Sequence, residues 1–254
     1  MVIKGILIPL LGTVLGALCV FFIKGEMNKK LRFTLQGFAA GVMVAASVWS
    51  LIIPSVEYAS YMGIFSFVPA VLGLLIGFIT LMISENFITY LSEKINLTTN
   101  TDRKNLMLVL AVVIHNIPEG LAVGVVFAGL LNGLNAITVA AAFSVAIGIA
   151  LQNFPEGAII SMPLAACGMK KSKAFLYGAL SGVVEPIGAF LTIFMFSLVT
   201  SILPYLLSFA AGAMLYVVIK ELIPDICDGK EAAYGTFSFA IGFSVMMALD
   251  IALG

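Results

Sequence analysis

The chain has 254 residues, of which 61% are hydrophobic and 10% charged, against roughly 25% charged residues in an ordinary soluble domain. That composition excludes a water-soluble enzyme and predicts an integral membrane protein, expected in a bacterial or archaeal plasma membrane with the lipid bilayer as its solvent. The 13 basic and 13 acidic side chains cancel to a net charge of zero, so no nucleic-acid partner is expected.

At about 20 apolar residues per membrane-crossing helix, eight spans are predicted, near 5–23, 34–56, 67–88, 105–130, 136–163, 174–199, 202–220 and 234–252. The fold class is therefore an all-α polytopic membrane protein, with 1–254 as one transmembrane domain. The apolar runs are continuous, unlike the ten-residue alternating segments of a membrane β-barrel. Lys24, Lys29, Lys30 and Arg32 follow span one, Lys94, Arg103 and Lys104 span three, Lys170, Lys171 and Lys173 span five, and Lys220 and Lys230 span seven. The loops near 57–66, 129–135 and 200–201 carry no Lys or Arg. Basic loops stay in the cytoplasm, which puts both termini outside, with Lys4 the sole outlier. The first 23 residues hold one Lys and no clear cleavage site, so an uncleaved first helix is expected.

Span one carries Gly5, Gly12 and Gly16, small residues suited to close helix packing, and reads as structural. Span two places Met43, Ser47, Ser50, Pro54 and Glu57 on one helical stripe, a path from an acidic outer end down to a thioether. Span three is apolar and ends at Glu85, a scaffold wall followed by a polar linker from Tyr90 to Lys104.

Spans four and five contain near-copies of one stretch, His115-Asn116-Ile117-Pro118-Glu119-Gly120 and Gln152-Asn153-Phe154-Pro155-Glu156-Gly157. In each, the first residue and the Glu lie four apart, so both project from one helix face. Pro118 and Pro155 each deprive the carbonyl four residues earlier, Ile114 or Leu151, of its helical partner, predicting a bend turned toward the protein interior. His115 is the only histidine; one turn from Glu119 and deep in a bilayer, it reads as a ligand. Gln152 and Asn153 offer neutral oxygen ligands.

Span six adds Glu185, on a face with Ser181, Gly182 and Gly188. Three carboxylates gathered in a membrane repel one another and shift upward in pKa until some are protonated, and a divalent cation, or the protons it displaces, would offset their charge. Span seven ends in Lys220-Glu221-Leu222-Ile223-Pro224-Asp225, where the acids form a cation exit or a solvated helix end. Asp250, late in span eight, adds to an entrance field or faces water. Cys19, Cys167 and Cys227 lack metal-type spacing and read as packing residues.

On these motifs the sequence resembles the ZIP (Zrt-, Irt-like) family of divalent metal transporters, particularly bacterial GufA-like members, over essentially all eight spans. The resemblance implies an inverted repeat of spans one to three and six to eight around spans four and five. It also implies inward metal transport by alternating access, and homodimers. One metal site is then His115, Glu119, Gln152 and Glu156 with Met43 as a sulfur ligand. A second, adjacent site is Asn116, Glu119, Asn153, Glu156 and Glu185, with the glutamates bridging. Asn153 stands where certain bacterial members have Asp, the loop between spans three and four has no His, and Lys220 replaces a His common in the family.

The mixed imidazole, carboxylate, amide and thioether set suits Zn2+, Fe2+, Mn2+, Co2+ or Cd2+ as the transported ion better than Mg2+ or Ca2+. A binuclear zinc site in a non-enzymatic importer is the expectation. The rivals are a metal-selective channel on the same residues and an intramembrane protease. The protease reading lacks a second His for a His-Glu-x-x-His pair, two Asp inside spans, and a Gly-x-Ser-Gly elbow.

Overall fold

The computed structural model describes residues 1–22, 28–94, 100–131, 133, 137–195, 202–227 and 231–253. Among them every regular element is helical, as backbone immersed in lipid requires. The elements are α1 (Val2–Phe22), α2 (Lys29–Ala46), α3 (Ile53–Tyr58), α4 (Phe67–Lys94), α5 (Asn100–Leu131), α6 (Val139–Ala166), α7 (Lys171–Ser181), α8 (Val184–Phe194), α9 (Leu203–Val217), α10 (Ile223–Ile226) and α11 (Ala232–Leu253). Among the described residues seven stretches are long and apolar enough to cross a bilayer, and the 32-residue α5 adds a shorter apolar stretch, Asn116–Leu131.

Local chemistry sets the ends that hydropathy blurs. The second span starts at Lys29, earlier than its apolar run, because the Asn28 side chain accepts the Lys30 N–H at 3.0 Å and caps the helix. Thr138 caps α6 likewise, its hydroxyl oxygen accepting the Ala141 N–H at 3.0 Å. The sixth span breaks between α7 and α8; α8 is Val184–Phe194, and the expected end at 199 lies outside the described residues.

Helix α5 continues through Pro118 and α6 through Pro155 and Pro163. Breaks in regular α-helix among the described residues fall in the second, sixth and seventh spans. A π turn, Ser47–Ile52, joins α2 to α3, and another, Val218–Leu222, joins α9 to α10. In the first the Ile53 N–H bonds Val48 O, and in the second the Ile223 N–H bonds Val218 O, each reaching five residues back. A proline follows directly in both, Pro54 and Pro224. Its ring crowds the carbonyl four residues earlier, and a wider turn relieves that crowding. Both π turns carry Val-x4-Ile-Pro, 170 positions apart, but Val112 to Pro118 in α5 carries it too and stays α-helical, so the pattern alone does not set the wider turn.

The helices pair as α1 with α6, α5 with α8, α2 with α11, and α4 with α9. Exchanging span one with six, two with seven, three with eight and four with five maps this set of pairs onto itself, the relation an inverted repeat requires. Close approach at small residues holds the pairs. A Cβ on Gly77 of α4 would lie 2.0 Å from Phe209 O of α9, and one on Gly212 of α9 would lie 2.0 Å from Leu74 O.

One end of the bundle is basic: the Lys171 ammonium donates to Phe21 O at 3.4 Å, and that of Lys30 lies 5.2 Å over the Tyr234 ring. Since α1 runs toward that end while α2 and α11 run away from it, Met1, Glu57 and Asp250 all lie at the other.

Candidate metal site

The two motif helices and α8 bring six of the expected residues inside the protein. Asn116 and Glu119 on α5, Gln152, Asn153 and Glu156 on α6, and Glu185 on α8 are each at most 5% exposed. The glycine ending each motif allows this. A Cβ on Gly120 would come within 2.5 Å of Glu185 O, so α5 crosses α8 at the carboxylate-bearing residue. A Cβ on Gly157 would come within 2.1 Å of Thr13 O, so α6 crosses α1 in the corresponding way.

Hydrogen bonds tie these groups together. Gln152 Nε2 donates to Glu119 Oε1, joining the two motifs. Asn116 Nδ2 donates to Glu185 Oε1 at 3.1 Å and to Ser181 O at 3.2 Å. Two acceptors on one atom identify it as the amide nitrogen, since the amide oxygen donates nothing. Thr13 Oγ1 also donates to Glu185 Oε1, at 3.2 Å. The charges of Glu119 and Glu156 both reach Glu185, so the three carboxylates share one region.

Several acceptors there have no hydrogen-bond partner among the described residues: Asn116 Oδ1, Gln152 Oε1, Asn153 Oδ1 and Glu185 Oε2, all fully buried atoms. A buried acceptor left without a donor costs about 1–3 kcal/mol, and each such group calls for an explanation. A cation supplies one, because it satisfies several oxygens at once and needs no donor. Among the described residues no three His, Cys, Asp or Glu side chains form a ready metal-binding group. Glu119 and Glu185 are each held by an amide nitrogen instead.

The His115 side chain lies outside the described residues; its backbone is in α5, one turn before Glu119. Met43 is fully buried in the core, on α2, which packs against α6. Ser47 turns its hydroxyl back to Met43 O at 2.8 Å, bonding its own helix.

Three other expected residues gather elsewhere. Ser50, Glu57 and Asp250 line a cavity of about 290 Å3 at the end away from the lysines. Asp250 accepts from Ser50 Oγ at 2.9 Å and from Ser144 Oγ at 3.1 Å. Val126, Val145 and Leu207, also in the lining, are buried side chains. Glu221 sits in the second π turn, half-buried, while the side chains of Glu85 and Asp225 lie outside the described residues.

Sequence reasoning missed Thr13 and Ser144. Thr13 had a signal, being the only hydroxyl in α1. Ser144 had none, because a serine among alanines in an apolar helix is ordinary.

Fold and site together define a polytopic helical membrane protein with a buried, oxygen-rich polar cluster between its two motif helices. Residues 100–250 match the family described as ZIP Zinc transporter. The chain is 33% identical to the zinc transporter ZIP11 of Xenopus tropicalis, over 98% of each chain. It is 34% identical to the zinc transporter GufA of Myxococcus xanthus, over 95% of this chain and 94% of that one. To the zinc transporter ZIPB of Bordetella bronchiseptica it is 32% identical, over 95% of this chain and 78% of the relative. The chain belongs to the ZIP family, and its role is transport, not catalysis.

Proposed function

We propose that the protein imports a divalent transition metal, zinc foremost, into the cytoplasm through the polar cluster on spans four, five and six. The observation carrying this reading is the set of buried acceptor oxygens around Glu119 and Glu185 that lack donors. His115, Glu119, Gln152 and Glu156 with Met43 would hold one ion. Asn116, Glu119, Asn153, Glu156 and Glu185 would hold a second. Cargo of the zinc type, including Cd2+, Fe2+, Mn2+ and Co2+, fits a set that mixes nitrogen, oxygen and sulfur.

The acidic cavity would face outside and collect cations by the fields of Glu57 and Asp250. It ends on Val126 and Val145, each seven residues along its helix from Glu119 and Gln152. At 1.5 Å per residue that is about 10 Å. An apolar floor between entrance and site supports alternating access over an open channel, because a continuous aqueous route would have to pass it.

The test is Zn2+ uptake into vesicles by correctly inserted Glu119→Ala and Glu156→Ala proteins. We expect uptake to fall by at least tenfold in each. Uptake at the wild-type rate in both would remove the site, and flux that does not saturate with metal concentration would favour the channel.

A further inference from the structure

Thr13 and Asn116 bond the same oxygen of Glu185, whose carboxylate the Asn153 amide also approaches. Thr13 Oγ1 lies 3.2 Å and Asn116 Nδ2 3.1 Å from Oε1, while Oε2 has no partner among the described residues. A carboxylate held by one oxygen from two directions is fixed in rotation, and its other oxygen is presented. Thr13 is itself fully buried. The hydroxyl is fitted closely, since a Cβ on Gly182 would lie 2.7 Å from Thr13 Oγ1 and 3.0 Å from Glu185 Oε1. Position also links the pair: Gly157 packs on the Thr13 backbone as Gly120 packs on the Glu185 backbone. Thr13 and Glu185 therefore occupy equivalent places in the two halves.

We propose that Thr13 is a positioning residue for the transported cation, its hydroxyl holding Glu185 Oε1 so that Oε2 faces the cargo. This rests on the proposed site and deepens it. The first span thereby contributes to cargo binding through span six, without touching the ion. Losing a hydrogen bond to a charged group weakens what depends on it by about tenfold or more.

The experiment compares wild type, Thr13→Val and Thr13→Ser as purified full-length proteins. Zn2+ affinity and stoichiometry are read by equilibrium dialysis with elemental analysis, and KM and maximal rate by vesicle uptake. Thr13→Val should lower the affinity of the Glu185-dependent ion about tenfold and raise KM, with Thr13→Ser restoring both. Should Thr13→Val fail to fold, Thr13→Ala removes the same hydroxyl with less bulk and carries the same expectation. Equal affinity and KM in the hydroxyl-free variant overturns the proposal, as does a Ser variant no better than Val. If Glu119→Ala also leaves Zn2+ binding intact, the site reading fails and takes this inference with it. If Glu119→Ala abolishes binding while Thr13→Val changes nothing, only the role of Thr13 fails.

Discussion

Asn153 shows how much one side chain's charge matters in a closed space. It is fully buried, its Oδ1 has no partner among the described residues, and its amide lies close enough to Glu185 to act on that carboxylate. An Asp there would add a fourth negative charge near Glu119, Glu156 and Glu185, with no water to screen it. Asn153→Asp should therefore melt earlier than wild type in chelator and gain more on adding Zn2+. Zinc at a hundred times its dissociation constant contributes about 2.7 kcal/mol per site. An equal zinc-induced rise in melting temperature in both proteins would mean that position 153 faces away from the cargo. The acids and amides of the motifs were legible because charge is rare in an apolar helix. Thr13 was not, because a lone hydroxyl bonds its own helix backbone as easily as a neighbour, as Ser47 and Thr192 do.

The helices themselves were legible from hydropathy to within a few residues, since lipid admits few alternatives to a backbone bonded within its own segment. Their interruptions were not. Pro118 and Pro155 attracted attention, yet α5 and α6 continue through them, and the π turns precede Pro54 and Pro224. Helical periodicity assumes 3.6 residues per turn throughout, so a widened turn passes unnoticed, and Val-x4-Ile-Pro does not reveal it either, since Val112 to Pro118 carries that pattern within the α-helix α5. Helix pairing rests on contacts that tolerate no added atoms. Gly77→Ala would place a methyl 2.0 Å from Phe209 O, and backbone on both sides leaves only separation of α4 from α9. A loss of about 1–3 kcal/mol is expected, measurable as a lower midpoint of detergent unfolding. Gly188→Ala, whose Cβ would meet nothing nearer than 3.5 Å, should change the midpoint little. Equal effects would argue against close packing as the cause.

For the whole molecule, the alternation of loops with and without Lys and Arg predicts which end faces the cytoplasm. The structure gathers Lys30 and Lys171 at one end and the cavity with Glu57 and Asp250 at the other. Two native thiols allow a direct check, because Cys167 and Cys227 are exposed and close helices that end on the lysine side. A membrane-impermeant maleimide should leave both unmodified in intact cells and label both once the membrane is opened. Labelling in intact cells would reverse the orientation and the direction of transport with it.

Divergence of the two halves at Thr13 and Glu185 leaves an odd number of acids in the chamber. Against three ionised carboxylates, a single dication leaves a charge of minus one and a pair leaves plus one. Under the proposed loading neither count would reach electrical balance, so neither would gain the extra stability that turns a stopping place into a trap. A second acid at position 13 would have made two dications a neutral, tightly held set, better suited to storage than to passage.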